Sequence, residues 1–472
     1  MNGDPLLSIG TGTLENQMRN GMADVLTPEE ILRKTRALMP GVLEDLKRLV
    51  RYPSVAFPGY PPEPVHAAAA ATVALLKRYG LPDARLVDIP GGYPAVYGGI
   101  PAPPGAPTVL LYAHYDVQPA RQEDGWDHDP WDPVEKDGRL YGRGAADNKS
   151  GILIIAAALK LFDGKPPVGV KVFVEGEEET TSHLPAFVAA HPAFFRCDLF
   201  CVADTGNIAV GDPVLTTTLR GEVSCIIEVR TLDHAVHSGS FGGPAPDALV
   251  ALIRILATLH DPQGNVAVKG LRSSPPGTAE YPEEAFRQNA GVLPGVDLAG
   301  TGTVGSRLWT QPSVTVIGID APSVSGSSNI LIPRASAKVS MRIAPDADPR
   351  RELQILTGHL RAAVPWNALV DIRAESGSPG FLCPAGGPGI AAAQRALETA
   401  FGKPAREKGT GGSIPLMQVF HEAVPEAEFI LWGAEDDARS FIHGPNESVD
   451  TGELERFIVA QCLLLQGMGN RE

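Results

Sequence analysis

The feature that most constrains this fold is a strand, a helix and a second strand that are all almost entirely apolar. The strands read TVLLYA at 108–113 and VGVKVFV at 168–174, and the helix between them reads SGILIIAAALKLF at 150–162. Strands covered by helices on both faces are apolar throughout, whereas half-exposed strands alternate polar and apolar residues. A third apolar strand, DLFCVAD, follows at 198–204. The sequence therefore predicts an α/β fold on a mostly parallel sheet.

The middle of the chain follows a different pattern. The segments LRGEVSCIIEVRT at 219–231 and ASAKVSMRIA at 335–344 alternate polar and apolar residues. Such alternation is typical of antiparallel strands with one exposed face. We therefore predict an inserted α+β domain at 213–385.

The α/β domain would then consist of two parts that flank the insertion. The first part is 1–212, in which 1–26 are polar and are predicted to form a loose arm. A helix is expected to begin after Thr27, because a threonine followed by proline and then by glutamate at the third helical position is a capping signal. The second part is 386–472, with a closing helix predicted at 451–467.

Composition narrows the possible classes of function. The 472 residues carry a formal net charge of -15 without any Lys/Arg-rich run. A nucleic-acid partner or an anionic membrane surface is therefore not expected, because both are bound through clustered positive charge. No segment has the ~18 apolar residues of a membrane helix, and no signal-peptide pattern opens the chain, so we expect a cytoplasmic protein. Five scattered cysteines predict free thiols.

Polar side chains follow the predicted strands. His114 and Asp116 lie two residues apart at the end of the first strand, so their side chains point the same way. Asp204 ends the third strand, and Asp147 precedes the apolar helix. An ordinary hydrogen-bonded pair and a helix cap would also explain these residues. Open α/β sheets, however, bind ligands at the carboxyl ends of their strands.

A run of glutamates follows the second strand, in the segment VFVEGEEETTSH. A solvated acidic loop is the ordinary explanation of such a run. His443 lies in a Gly/Pro turn near the end of the sequence, within FIHGPNES. Carboxylates gathered at one edge of a sheet repel one another unless cations neutralise them. The combination therefore favours a site for divalent metal ions.

Eight motifs occur in the order of a known family. They are YAHYDVQP, GRGAADNKSG, EGEEE, ADTG, DHAVHSGSFGG, RASAKVSMRIAPD, GTGGSIP and IHGPNES. As an ordered set they resemble the superfamily of zinc-dependent dipeptidases, carboxypeptidases and aminoacylases, and especially the carnosinase-like dipeptidases. The resemblance implies a metal-dependent hydrolase with a zinc-peptidase catalytic domain and an inserted lid or dimerisation domain.

The resemblance also implies a set of metal ligands. Asp147 would bridge two divalent ions. His114 and Asp204 would complete the ligands of one ion, and Glu179 and His443 those of the other. Zinc is the expected metal, with manganese and cobalt as alternatives. Many family members have a cis peptide bond after the bridging aspartate.

Further roles follow from the same resemblance. Asp116 would orient His114, and Glu178 would be the general base that takes a proton from the attacking water. His237 would reach the oxyanion from a partner subunit, which predicts a homodimer. The residues expected to contact a small peptide substrate are Arg342, Asn329, Ser413 and Gly412.

One departure from the family pattern concerns the substrate. Gly409 and Thr410 stand where many carnosinase-like members carry an Arg-Glu pair. Cleavage of dipeptides or short peptides is the leading hypothesis, and deacylation of N-acyl amino acids by the same site is the alternative. A third hypothesis, a relative that binds without catalysis, is disfavoured because the ligand set and Glu178 are all present.

Overall fold

The computed structural model shows a chain in which helices cover sheets. The described residues are 25–275, 279–375, 377–384, 386–412, 414 and 416–469. Their α-helices are α1 (Pro28–Val50), α2 (Glu63–Arg78), α3 (Lys149–Leu161), α4 (Leu184–Ala190), α5 (Pro192–Phe195), α6 (Ser238–Phe241), α7 (Ala248–Ala257), α8 (Glu283–Asn289), α9 (Val304–Trp309), α10 (Pro349–Ala362), α11 (Pro388–Phe401), α12 (Leu416–Ala423) and α13 (Thr451–Gly469), and a short 3-10 helix spans Gln122–Asp124.

The strands of the described residues lie between Arg85 and Asp450. They are β1 (Arg85–Val87), β2 (Ala95–Ile100), β3 (Thr108–His114), β4 (Val134–Lys136), β5 (Arg139–Tyr141), β6 (Gly169–Glu175), β7 (Leu199–Val202), β8 (Gly206–Asn207), β9 (Val214–Leu219), β10 (Gly221–Arg230), β11 (Val236–His237), β12 (Ser313–Asp320), β13 (Ile330–Leu331), β14 (Arg334–Ile343), β15 (Leu369–Ala374), β16 (Phe381–Leu382), β17 (Arg406–Thr410), β18 (Glu428–Leu431), β19 (Glu435–Asp436) and β20 (Ser448–Asp450).

The large sheet has the order β1-β2-β6-β3-β7-β18-β9-β16, with β17 beside β9. Its central strands β6, β3, β7 and β18 are parallel, as the apolar sequence predicts. The outer strands β1, β2 and β16 pair antiparallel, so the sheet is mixed. Strands β1 and β2 are antiparallel because the loop at 88–94 that connects them is too short for the crossover that a parallel pair needs. The predicted α/β fold is confirmed.

Helices cover both faces of this sheet. On one face α3 packs between α1 and α13 and against β3, and it is buried along almost its whole length. On the other face lie α4, α5 and α12, where the rings of Phe195 and Phe200 pack on Phe420. Burial on both faces is the reason that the central strands carry so few polar residues.

A second sheet has the order β12-β14-β10-β15 and is antiparallel. Helices α7 and α10 pack against one of its faces. Its strands lie within the insertion predicted at 213–385. Strands β9 and β16 also fall in that range, yet they pair in the large sheet. If the inserted domain is defined by the strands of the second sheet, it begins after Leu219 and ends before Phe381. The predicted limits of 213–385 stay a prediction.

The start of α1 is as predicted. Glu30 N donates to Thr27 Oγ1 at 3.2 Å, and Thr27 N donates to Glu30 Oε2 at 2.9 Å. Of the predicted arm at 1–26, residues 1–24 lie outside the described residues. All five cysteines are free thiols, as expected. Within the described ranges, every helix is too short or too polar to cross a bilayer.

Arg139 joins the part of the chain that precedes the insertion to the part that follows it. It is 1% exposed in β5, and its Nη2 donates to Asp436 Oδ2 at 2.8 Å and to Ser448 O at 2.9 Å. Its Nε donates to Ser448 Oγ at 2.8 Å. The segment 437–447, which carries His443, is therefore held at both ends by one buried guanidinium.

Replacing Arg139 with Met is expected to destabilise the protein strongly, because Asp436 would remain buried without its counter-ion. We expect a loss of about 3–5 kcal/mol in the free energy of unfolding. Urea unfolding followed by tryptophan fluorescence measures it. The matched control is Arg36→Met, whose side chain is 64% exposed beside Glu455 and should contribute under about 1 kcal/mol. Equal losses in the two variants would contradict this account of Arg139.

Candidate active site

The ends of three parallel strands bring the predicted side chains to one edge of the large sheet. His114 is the last residue of β3 and lies in register with Glu175, the last residue of β6. Glu178 and Glu179 lie in the turn that follows β6, and Asp204 follows β7 by two residues. Because these strands are parallel, their carboxyl ends lie at the same edge of the sheet, and all of these residues lie at that edge.

The first group of side chains surrounds His114, which is completely buried. Its Nε2 lies 3.0 Å from Asp147 Oδ1 and 3.3 Å from Asp204 Oδ1. Glu178 Oε2 lies 4.0 Å from the same nitrogen. The donor atoms of His114, Glu178 and Asp204 fall within 4.8 Å of one another, a spacing that one metal ion can span.

The second group shares Asp147 with the first. His443 Nε2 lies 3.0 Å from Asp147 Oδ2 and 3.1 Å from Glu179 Oε2. The two oxygens of one carboxylate thus face two different imidazoles. Asp147 does not cap α3, since the N-cap residue is Asn148, and the bond between these two residues is a cis peptide, as the resemblance implies. The structure therefore brings the five predicted ligands together.

Glu447 holds the loop that carries Asp147. Its Oε1 accepts from the backbone N–H groups of Ala146 and Asp147, each at 3.0 Å. Its Oε2 accepts from Gly144 N at 3.0 Å and from Arg143 Nη1 at 2.6 Å. This buried carboxylate was not predicted from the sequence, although it lies in the same motif as His443.

Asp116 holds the turn that carries the two glutamates. Its carboxylate accepts from Glu178 N at 3.1 Å and from Glu179 N at 3.0 Å. The atom of Asp116 nearest to His114 Nδ1 is its backbone oxygen, at 3.0 Å. The side-chain Oδ1 of Asp116 lies 3.4 Å from the same nitrogen. Gln118, another residue that the sequence reasoning missed, donates from Nε2 to Glu179 Oε2 at 2.8 Å.

Glu435 was also missed. A carboxylate oxygen of Glu435 lies within 4.8 Å of ligand atoms of both Asp147 and Asp204. Burial, followed by the negative charges of those two residues, raises its pKa well above the ordinary value. It comes soon after β18, the fourth parallel strand, so the rule that identified Asp204 would have identified Glu435.

The electrostatics of the cluster favour added positive charge. Hydrogen bonds to Asp147 and Glu179 raise the pKa of His443 to about 11. Burial and the charge of Asp147 raise the pKa of Glu179 to about 7. Burial and the charge of Asp204 raise the pKa of Glu178 well above its usual value. The buried carboxylates thus outweigh the imidazoles, and divalent cations would stabilise the excess negative charge.

The other two glutamates of the run, Glu175 and Glu177, are buried and contact neighbouring side chains, so they are not part of a solvated acidic loop. Glu175 Oε2 accepts from the Tyr112 hydroxyl at 2.5 Å, and burial raises the pKa of Glu175 to about 7. Glu177 Oε2 lies 3.0 Å from Nδ1 of His183. Both residues are less than a tenth exposed.

Two of the other predicted residues lie together but apart from this cluster. His237 is exposed in β11, which pairs with β13. The backbone oxygen of Asn329 accepts from Ser238 N at 2.9 Å, so Asn329 adjoins His237. Within the described ranges, no hydrogen bond or ion pair joins either residue to the metal-ligand candidates of the same chain.

The remaining predicted residues concern substrate binding. Arg342 on β14 pairs with Glu222 at 3.2 Å. Glu222 and Glu178 line one cleft of about 390 Å³. A Cβ added to Gly412 would have no atom within 4 Å, so space remains beside this residue. Ser413 lies outside the described residues.

Comparison with known proteins gives a consistent result. The profile of the peptidase family M20/M25/M40 matches residues 110–466. The chain is 38% identical over 380 residues to a cysteinylglycine-S-conjugate dipeptidase of Corynebacterium striatum, covering 79% of this chain and 83% of the relative. It is 29% identical over 390 residues to a beta-Ala-His dipeptidase of Mus musculus, covering 78% of each.

A solved structure shares the fold. Human carnosine dipeptidase 1 matches with a TM-score of 0.79 at 24% identity, covering 94% of this chain and 99% of that one. The profile match spans all five candidate ligands, from His114 to His443. The family indicated by the ordered motifs is thereby confirmed, and this chain belongs to the peptidase family M20/M25/M40.

Proposed function

We propose that this chain is a metal-dependent hydrolase that cleaves the peptide bond of dipeptides and other short peptides. The observation that carries the proposal is Asp147, whose two carboxylate oxygens each lie 3.0 Å from a different imidazole. The two curated relatives above are named as dipeptidases, which favours peptides over the N-acyl amino acids that the sequence alone left open.

The side chains fit two divalent transition-metal ions. Imidazole nitrogen and carboxylate oxygen suit zinc, and manganese or cobalt accept the same donors. One ion would be held by His114, Asp147 and Asp204, and the other by Asp147, Glu179 and His443. Ions bound there supply a Lewis acid for the scissile carbonyl and lower the pKa of water.

Glu178 is the residue that moves the proton. Its carboxylate lies 4.0 Å from His114 Nε2 and lines the cleft of about 390 Å³, where substrate has access. It takes a proton from the attacking water and passes it to the nitrogen of the leaving amine. Asp116 acts as a positioning residue, because it fixes the backbone of Glu178 and Glu179 through two hydrogen bonds.

His237 donates to the oxyanion from the partner subunit of a homodimer. Its Nδ1 accepts hydrogen bonds from Gly239 N at 3.1 Å and from Ser240 N at 3.2 Å. In a neutral ring the proton then resides on Nε2, so the imidazole is preset as a donor through that atom. Exposure of His237 and its separation from the cluster of its own chain support action across subunits.

The substrate's terminal carboxylate is assigned to the insertion. Arg342 presents a planar guanidinium, which suits a carboxylate, and shares it with Glu222 at 3.2 Å. Asn329 adjoins His237, so in the proposed homodimer it also lies at the active site of the partner subunit. Gly412, next to Ser413 in the chain, leaves room for the substrate backbone.

The proposed activity is tested with a panel of dipeptides and N-acetyl amino acids. We expect hydrolysis of dipeptides in the presence of zinc, manganese or cobalt, loss of turnover after chelation, and recovery when metal is restored, because the buried carboxylates need the cations. Liberated amino acids are quantified by chromatography. If neither class of substrate is cleaved with any of the three metals, the proposed hydrolase activity is wrong.

Glu178→Gln keeps the size of the side chain and removes the proton acceptor. The expected result is a fall in kcat of roughly 100-fold or more. Bound metal per chain, measured by mass spectrometry, should stay unchanged because the ligands remain. The matched control is Glu177→Gln at the adjacent position, where the carboxylate contacts His183 and activity should persist. Undiminished kcat in Glu178→Gln would remove the assigned role.

Action across subunits predicts complementation between two inactive variants. A heterodimer of Glu178→Gln and His237→Ala contains one site with both native residues only if His237 acts on the partner. Such a heterodimer, purified through two different tags, should show about half of the wild-type kcat, since one of its two sites is intact. Inactive heterodimers, or a fully active monomer in sedimentation, would show that His237 does not act this way.

A further inference from the structure

The cleft of about 390 Å³ beside Glu178 has walls from both the α/β domain and the insertion. The α/β domain contributes the turn after β6 together with α4 and α12, which bring Pro185, Leu416 and Val419 to the cleft. Glu222, on β10 of the insertion, lines the same cleft. The five candidate metal ligands are not among the lining residues, so the cleft extends beyond the metal-ligand cluster.

Glu222 is held beside Arg342 but keeps access to solvent. The two residues are direct partners in the pairing of β10 with β14, and Arg342 Nη1 lies 3.2 Å from Glu222 Oε2. Ser340 Oγ donates to Glu222 Oε1 at 2.8 Å. The side chain of Glu222 is nevertheless 35% exposed. Its backbone N–H and C=O both bond with the backbone of Ser378, which fixes the strand at this point.

The carboxylate of Glu222 has capacity for a further hydrogen-bond donor. A carboxylate offers roughly four acceptor positions, divided between its two oxygens. The contacts with Arg342 and Ser340 use one position on each oxygen. An ion pair between two side chains that are each about a third exposed is also weak, so a cation from a ligand can share Glu222 with Arg342.

The lining of the cleft favours a side chain that is apolar along its length and positively charged at its end. The charged residues of the lining are Glu178 and Glu222, and no lysine or arginine of the described residues lines it. Metal ions in the adjacent cluster would balance the charge of Glu178. Leu416 and Val419 offer apolar contact to methylene groups. Lysine and arginine combine such a stem with a cationic head.

A substrate carboxylate on Arg342 changes the charge balance around Glu222. In the proposed function Arg342 binds the terminal carboxylate, and one guanidinium then faces two carboxylates. Two like charges brought together are unfavourable unless another cation joins them. A positive side chain on the same substrate residue supplies that cation, and Glu222 is the carboxylate beside Arg342 that accepts it.

We propose that Glu222 selects dipeptides whose C-terminal residue is lysine or arginine. Arg342 binds the terminal carboxylate of this residue, and Glu222 accepts a hydrogen bond from its side-chain ammonium or guanidinium group. The inference rests on the proposed function, which assigns the terminal carboxylate to Arg342. It adds a preferred class of substrate and the residue that determines the preference.

The kinetics of the metal-loaded enzyme with Ala-Lys and Ala-norleucine test this preference, because the two substrates share the carbon chain and differ in the ammonium group. Wild type should show a kcat/KM roughly 5-fold or more higher for Ala-Lys, the gain expected of one partly exposed ion pair. Ala-Glu should be the poorest of the three substrates, since Glu222 repels its side chain. Glu222→Gln should lose most of the preference for Ala-Lys.

The matched control is Glu228→Gln, which removes the same charge from the same face of β10 at a position away from the cleft. It should keep the wild-type ratio of the two kcat/KM values. Equal losses for Ala-Lys and Ala-norleucine in Glu222→Gln would show that Glu222 only orients Arg342, which overturns the proposal. A preference for Lys-Ala over Ala-Lys would overturn the assignment to the C-terminal residue.

The outcomes separate this inference from the hydrolase activity. Cleavage of Ala-norleucine by wild type without a preference for Ala-Lys refutes the inference and leaves the activity standing. If no dipeptide is cleaved, the proposed activity is wrong, and calorimetry still decides the role of the cleft. L-lysine should bind the metal-loaded wild type roughly 5-fold or more tightly than L-norleucine. Equal affinities would refute the inference, and this measurement does not depend on the folding of any variant.

Discussion

Five carboxylates, those of Asp147, Glu178, Glu179, Asp204 and Glu435, meet at one edge of a buried sheet, and their mutual repulsion must be balanced by positive charge. Two imidazoles supply part of that balance, and divalent cations fit the remainder. The surrounding structure serves to hold this unfavourable arrangement in place. Without that support, the carboxylates would move apart into solvent, and the geometry of the cluster would be lost.

The support comes largely from hydrogen bonds to the backbone and not from contacts among the ligands themselves. Glu447 accepts two backbone N–H groups from the Asp147 loop and a third from Gly144. Asp116 does the same for the turn of Glu178 and Glu179. Each loop is thus fixed by a carboxylate that needs no metal. Such fixed loops place the ligands before any ion arrives, which lowers the cost of ordering them on binding.

The sequence was sufficient for the parts of the fold and site that follow a local rule. Apolar runs predicted the positions of β3, β6 and β7, and the polar residues at or just after the ends of these runs identified His114 and Asp204. The antiparallel edges of the large sheet were missed because pairing direction there depends on short loops and not on apolar content. Glu447 escaped notice because its role depends on which backbone amides it meets, and residue spacing carries no such information.

The candidate ligands are divided between the first part of the α/β domain and a short segment near its C-terminal end. His114, Asp147, Glu179 and Asp204 precede the insertion, whereas His443 follows it. During synthesis the early carboxylates are therefore made long before the imidazole that completes the second group. The insertion must emerge, and the last strands must dock through Arg139, before that group can close. A product truncated before His443 would therefore lack one of the five candidate ligands.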